Sequence, residues 1–94
     1  MKYLHTMIRI SDIEESLRFF CEGLGLKETK RMENEKGRYT LIFLAAPSDE
    51  NAEIELTYNW DGDNLGEGSR NFGHLAYRVK NIYETCQRLL EMGY

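Results

Sequence analysis

The sequence has little proline and little cysteine, it has no long apolar run, and each shortage narrows the class of protein. One proline among 94 residues, with 41% hydrophobic and 30% charged residues, is the composition of a folded domain rather than a disordered chain. No apolar run approaches the ~20 residues that a membrane-spanning helix needs. The two cysteines, Cys21 and Cys86, lie far apart and form no C-x-x-C motif. We therefore expect one small, reduced, cytoplasmic protein without a membrane partner.

Positive charge is also scarce. Twelve basic residues stand against sixteen acidic ones, which gives a net charge of −4. Phosphate binding requires a basic face, so this balance argues against nucleic acid as a partner. The densest cationic group is Lys27, Lys30 and Arg31, and we interpret it as the solvated end of a strand.

An internal repeat with an offset of 69 residues organises the chain. The segment His5–Ile13 aligns with His74–Ile82, and this alignment pairs the chain's two histidines with each other. Each copy begins with alternating residues typical of a strand and continues into a helix with one apolar stripe. Ser11 followed by Glu14 predicts a capping box for the first helix, and Asn81 predicts a similar cap for the second.

The pattern predicts an α+β fold built from duplicated βαβββ modules, the second of them incomplete. After the first helix, three more strands are expected at Leu26–Met32, Tyr39–Ala46 and Ala52–Tyr58. The first module then covers residues 1–60, a Gly- and Asp-rich linker covers 61–69, and residues 70–94 hold the first strand and helix of the second module. Because that helix then has no complete sheet to cover, we interpret the chain as truncated.

Side chains capable of chemistry recur four residues apart on the predicted strands, which places each pair on one strand face about 13 Å apart. The three pairs are His5 and Arg9, Glu55 and Asn59, and Arg70 and His74. For the two histidines and Glu55 to converge, the first and fourth strands must be parallel and the fifth antiparallel to them. A right-handed crossover followed by two antiparallel steps gives this arrangement.

These residues allow two interpretations. Taken singly, a strand histidine is usually structural, and Glu55 could lie on the wet face of a half-exposed sheet. The equivalent positions of His5 and His74 in the repeat favour a shared role instead, because packing does not explain them. Two imidazoles and a carboxylate suit a divalent ion such as zinc, nickel, cobalt or ferrous iron. The same offset applied to Glu55 predicts a fourth ligand at about position 124.

The motifs resemble those of the vicinal-oxygen-chelate superfamily and, within it, the glyoxalase I family of short bacterial type. The residues that carry the resemblance are His5-Thr-Met-Ile-Arg9, Glu55-Leu-Thr-Tyr-Asn59-Trp60 and Phe72-Gly-His74. Weaker matches, such as Arg18-Phe-Phe and Leu24-Gly-Leu-Lys, extend it over all 94 residues. Each motif is weak alone, and together they are specific.

The resemblance implies a metal site made by His5, Glu55 and His74, with a further glutamate beyond this chain. It implies that Arg9, Asn59 and Arg70 bind the glutathione part of a methylglyoxal hemithioacetal. The expected reaction is isomerisation to S-lactoylglutathione by proton transfer through a metal-bound enediolate, with Glu55 among the catalytic residues. The short bacterial type implies nickel or cobalt before zinc, and a homodimer with shared active sites. Residues 1–94 alone are expected to be inactive.

Two alternatives stay open at this point. One is another metal enzyme of the same superfamily, such as an epimerase or an extradiol dioxygenase, against which Arg70, Asn59 and the motif around Glu55 argue. The other is a metal-free binding protein of the same fold, which the paired histidines disfavour. Metal content and the sequence near position 124, about 30 residues further on, discriminate among these readings.

Overall fold

A computed structural model describes residues 1–62 and 71–93 of the chain. Five strands and two helices follow one another, with the first helix continuing as a π-helical turn at Arg18–Gly23. In chain order they are β1 (Lys2–Ile10), α1 (Ile13–Leu17), β2 (Lys27–Asn34), β3 (Tyr39–Ala46), β4 (Asp49–Asn59), β5 (Phe72–Arg78) and α2 (Ile82–Glu91). The predicted α+β class and the order of elements are confirmed, whereas the division into modules at residues 61–69 stays a prediction.

The five strands form one sheet in the order β2-β3-β4-β1-β5. β1 pairs with β4 in parallel, with Met7 opposite Glu55, and with β5 antiparallel, with Met7 opposite His74. β3 is antiparallel to both β2 and β4. The strand directions inferred from the positions of the histidines and Glu55 are therefore confirmed.

Three local expectations were wrong by one to three residues. The N-cap of α1 is Asp12 rather than Ser11, because the extended Asp12 backbone lets its carboxylate accept a 2.9 Å hydrogen bond from the Glu15 amide. The second cap is Asn81 as predicted, and it is the repeat equivalent of Asp12. β2 runs on to Asn34, and β4 begins at Asp49 because Pro47 and Ser48 alone make the turn.

The core lies on the face of the sheet that α1 covers. Ile42, Leu44 and Leu56 are fully buried there, and the stripe of the first helix packs against them together with partly buried strand residues: Ile8, Ile10, Ile13, Leu17, Phe20, Cys21, Leu26 and Ile54. Burying a large aliphatic side chain stabilises the fold by roughly 1.5–3 kcal/mol relative to leaving it exposed. The opposite face of the sheet carries polar residues together with buried Met7 and Phe43.

The second helix differs from the first, because its large apolar side chains are exposed, whereas Ile13 and Leu17 of the first are partly buried against the core. Ile82 and Leu90 are 57% and 65% exposed, although both belong to the stripe that the sequence predicts to be buried. Cys86 is exposed as well, whereas Cys21 is half-buried. Within residues 1–62 and 71–93, no helix is long and apolar enough to cross a membrane.

Leu44 is fully buried and Leu90 is exposed, so replacing each by alanine should affect the free energy of unfolding differently. Leu44→Ala should lower the free energy of unfolding by about 2–5 kcal/mol, because it opens a cavity in the closed core. Leu90→Ala should change it by no more than about 0.5 kcal/mol, because the side chain is already in water. Urea denaturation of the two variants beside wild type measures both, and equal losses would contradict this account of the core.

Candidate metal centre

Three adjacent strands, β4, β1 and the edge strand β5, bring the predicted ligands together. Met7 lies opposite both Glu55 and His74, and His5 is two residues before Met7. Side chains alternate between the faces of a strand, so His5, Glu55 and His74 project from the face that α1 leaves uncovered. The site is therefore a direct product of strand register.

The three side chains lie close enough to share one ion. His5 Nε2 is 2.8 Å from Glu55 Oε2 and 3.1 Å from His74 Nε2. One ligand atom from each residue lies within 4.8 Å of the other two. Two imidazole nitrogens and a carboxylate oxygen are the donors that a borderline divalent ion takes, so the chemistry of the set fits such an ion.

Glu55 is the buried member of the cluster, with 6% of its surface exposed. A buried carboxylate is costly unless it is paired, and two neighbours supply partners. Thr57 Oγ1 donates a 3.1 Å hydrogen bond to Oε1, while Oε2 faces His5. The Phe43 ring meets the His5 imidazole edge-on at a centroid distance of 5.5 Å, which restricts the rotation of that imidazole.

Sequence reasoning did not assign roles to Thr57, Phe43 or Gly73. Thr57 is two residues after Glu55 and thus on the same strand face, which is the signal that could have revealed it. Gly73 adjoins an irregularity in the β1–β5 pairing, and a Cβ there would collide with the Met7 side chain. The glycine in Phe72-Gly-His74 therefore lets β5 approach Met7 while His74 meets the other ligands.

The predicted substrate-binding residues lie toward the other end of the same strands. Arg9 is opposite Thr57, and Asn59 is the last residue of β4. The Arg9 amide donates a 2.7 Å hydrogen bond to the Asn71 carbonyl, which ties the start of the second repeat to β1. Arg70, the third predicted residue, lies outside the described residues.

The chain next to Asn59 is held by an exposed ion pair. Arg38 Nε and Nη2 donate hydrogen bonds of 2.7 and 2.9 Å to the two carboxylate oxygens of Asp61. The hydrogen bond from the Arg38 guanidinium lowers the pKa of the Asp61 carboxyl, and its charge acts in the same direction. Trp60 joins the same structure, because its indole N–H donates to Thr40 Oγ1 at 2.8 Å.

Comparisons with known proteins agree with this geometry. The family model for the glyoxalase/bleomycin resistance protein/dioxygenase superfamily matches residues 2–94. The chain is 42% identical to the lactoylglutathione lyase of Haemophilus influenzae, an alignment that covers 99% of this chain and 69% of that relative. The chain therefore belongs to the glyoxalase/bleomycin resistance protein/dioxygenase superfamily and, within it, to the lactoylglutathione lyase family.

Solved structures agree at the level of the fold. The trypanothione-dependent glyoxalase I of Leishmania major is 32% identical with a TM-score of 0.59, over 98% of this chain and 66% of that one. The methylmalonyl-CoA epimerase of Mycobacterium tuberculosis has a TM-score of 0.74 over 98% of this chain and 64% of that one. Its identity is only 22%, so it shares the fold and carries no argument about the reaction.

The cluster predicts a specific loss of metal binding. His5→Ala and Glu55→Gln should each lower the amount of zinc or nickel bound per chain after dialysis, because each removes one of three donors. Glu53→Gln is the matched control, since Glu53 lies two residues before Glu55 on the same strand but outside the cluster. Metal content is measured by atomic spectroscopy. Unchanged stoichiometry in both ligand variants would overturn the assignment.

Proposed function

We propose that the chain isomerises the hemithioacetal of methylglyoxal and glutathione to S-lactoylglutathione. The observation that carries the proposal is the convergence of His5, Glu55 and His74 on one face of the sheet, with ligand atoms within 4.8 Å. Membership of the lactoylglutathione lyase family supports it. The reaction moves one proton between adjacent carbons, so it needs a positioned base and stabilisation of negative charge.

The substrate is held through its glutathione part. Arg9, Asn59 and Arg70 are the residues we assign to it, and a guanidinium is suited to a carboxylate through two parallel charge-assisted hydrogen bonds. Asn59 both donates and accepts, which matches an end that carries an ammonium and a carboxylate. Since Arg9 is four residues beyond His5 on β1, a bound glutathione extends along the strand from the cluster.

The chemistry takes place at the cluster. A carboxylate removes the proton from the carbon bonded to sulfur and returns it to the neighbouring carbon, while the hydroxyl proton passes to the neighbouring oxygen, so that no oxidant or reductant is consumed. His5, Glu55 and His74 would hold a divalent ion, which would supply Lewis-acid stabilisation of the negative charge that develops on the substrate. Glu55 contributes as a base of this kind, with Thr57 orienting one carboxylate oxygen through its hydroxyl.

The identity of the ion, the assembly and the location are part of the same proposal. We assign nickel or cobalt before zinc as the ion, a homodimer with shared sites as the assembly, and the cytoplasm as the location. The three described ligands come from one chain, so a partner is not needed to bring them together. The exposed apolar side chains of β5 and α2, including Phe72 at 61% and Leu90 at 65%, support a surface that another subunit covers.

The reaction itself is the direct test. The chain extended to include the fourth ligand expected at about position 124, loaded in turn with nickel, cobalt and zinc, should convert methylglyoxal and glutathione to S-lactoylglutathione, with the highest rate under nickel or cobalt. Residues 1–94 alone should not. Glu55→Gln should reduce kcat at least about 100-fold, because general-base catalysis contributes about that much or more. Glu50→Gln is the control, since Glu50 is an exposed carboxylate on the same strand, outside the cluster. Wild-type turnover by Glu55→Gln would remove that residue from the chemistry.

Substitution of Arg9 should change KM rather than kcat. Arg9→Ala should raise KM for the hemithioacetal by roughly tenfold with kcat little changed, because a contact kept from ground state to transition state acts on binding. Arg31→Ala is the control, since the Arg31 guanidinium pairs with Glu28 on exposed β2. A collapse of kcat at constant KM would place Arg9 in the chemistry instead.

A further inference from the structure

A cavity of about 310 Å³ opens beside the cluster of His5, Glu55 and His74, on the side away from Arg9. His5 and Phe43 form its boundary with the cluster, and three cationic side chains also line it: Lys2, Lys30 and Arg78. The strand registers place these residues together, because Lys2 pairs with Arg78 and Lys30 pairs with Phe43. The cavity is thus continuous with the candidate site.

The charge of this cavity is unbalanced. One carboxylate, Glu53, stands against its three cations, and Glu53 Oε2 already accepts a 3.0 Å hydrogen bond from Thr29 Oγ1. Among residues 1–62 and 71–93, none of the three cations forms an ion pair. A surplus of positive charge in a concave site attracts an anion.

Among the three cations, Lys30 is the one that contacts link to the cluster, through the Phe43 ring. Its ammonium lies 4.2 Å from the centroid of the Phe43 ring, and that ring packs against His5. The sequence suggested that Lys30 belongs, with Lys27 and Arg31, to a solvated strand end. The structure separates them, because Arg31 pairs with Glu28 while Lys30 faces the cavity.

The shape of the substrate connects this cavity to the reaction, and here the argument rests on the proposed function. In the hemithioacetal, sulfur is attached to one of the two reacting carbons, and the substituent from the aldehyde is attached to the other. If glutathione extends from the cluster toward Arg9 and Asn59, then the aldehyde-derived substituent points the opposite way. That direction leads to the cavity lined by Lys2, Lys30 and Arg78.

We propose that this cavity is a subsite for an anionic group on the aldehyde-derived end of the substrate, with Lys30 as a residue that determines specificity. The favoured substrate class is a hemithioacetal of a 2-oxoaldehyde that carries a carboxylate. A neutral methyl group leaves the three cations without a counter-charge, whereas a carboxylate supplies one and accepts charge-assisted hydrogen bonds.

Two inert glutathione conjugates test the proposal without enzymatic turnover. Isothermal titration calorimetry compares S-(4-carboxybenzyl)glutathione with S-benzylglutathione, which differ by one carboxylate. Wild type should bind the carboxylated conjugate roughly tenfold more tightly, the effect of one charge-assisted contact. Lys30→Gln should reduce that ratio to about 2 or less, and Lys30→Arg should keep most of it.

Lys36→Gln is the matched control, because it removes the same charge from the exposed turn between β2 and β3. It should retain the wild-type preference, and circular dichroism checks that each variant is folded. Equal binding of the two conjugates by wild type, or an unchanged ratio in Lys30→Gln, would overturn the inference alone. Failure of both conjugates to bind would overturn the proposed function together with it.

Discussion

The parallel pairing of β1 with β4 is the constraint on which the rest of the structure depends. It requires the chain to leave β1, cross over through α1, and return through β2 and β3 before β4 can lie beside β1. The crossover places α1 and the apolar layer around Leu56 on one face. The opposite face, which also buries Met7 and Phe43, holds Glu55 next to His5, and β5 then adds His74 from the other side. Core and site are consequences of one topology.

The sheet buries the Glu55 carboxylate, and this burial lowers the stability of the sheet. A carboxylate that is 6% exposed loses most of its hydration, and the Thr57 hydroxyl and the His5 imidazole restore only part of that loss. A sheet selected for stability alone would favour an apolar residue at this position. We attribute the carboxylate at this position to the proposed metal binding, because a divalent ion would compensate a buried carboxylate.

Much of the fold and of the cluster could be predicted because both depend on periodicity and repetition. Alternation placed His5 and Arg9 on one face, and the 69-residue offset paired His5 with His74. The predictions that were wrong depended on details that a single sequence does not contain. The choice of Asp12 over Ser11 as the cap depends on the extended backbone of Asp12, and the exposure of Ile82 and Leu90 depends on whether anything covers α2. Lys30 is exposed on β2, as expected of a solvated strand end, but its contact with Phe43 on another strand could not be predicted from the sequence.

The two ends of the sheet face that carries the site differ, because β1 and β5 are antiparallel. Arg9 and Asn59 lie at the ends of two parallel strands, and the chain that leads into β5 is joined to Arg9 there by the Asn71 carbonyl. At the other end β5 finishes with Arg78 beside Lys2. Cationic groups therefore stand on both sides of a cluster that itself carries a carboxylate. Such an arrangement suits an elongated substrate with negative charge at its ends and a reacting centre between them, since each charge meets its counterpart only when the centre lies at His5 and Glu55.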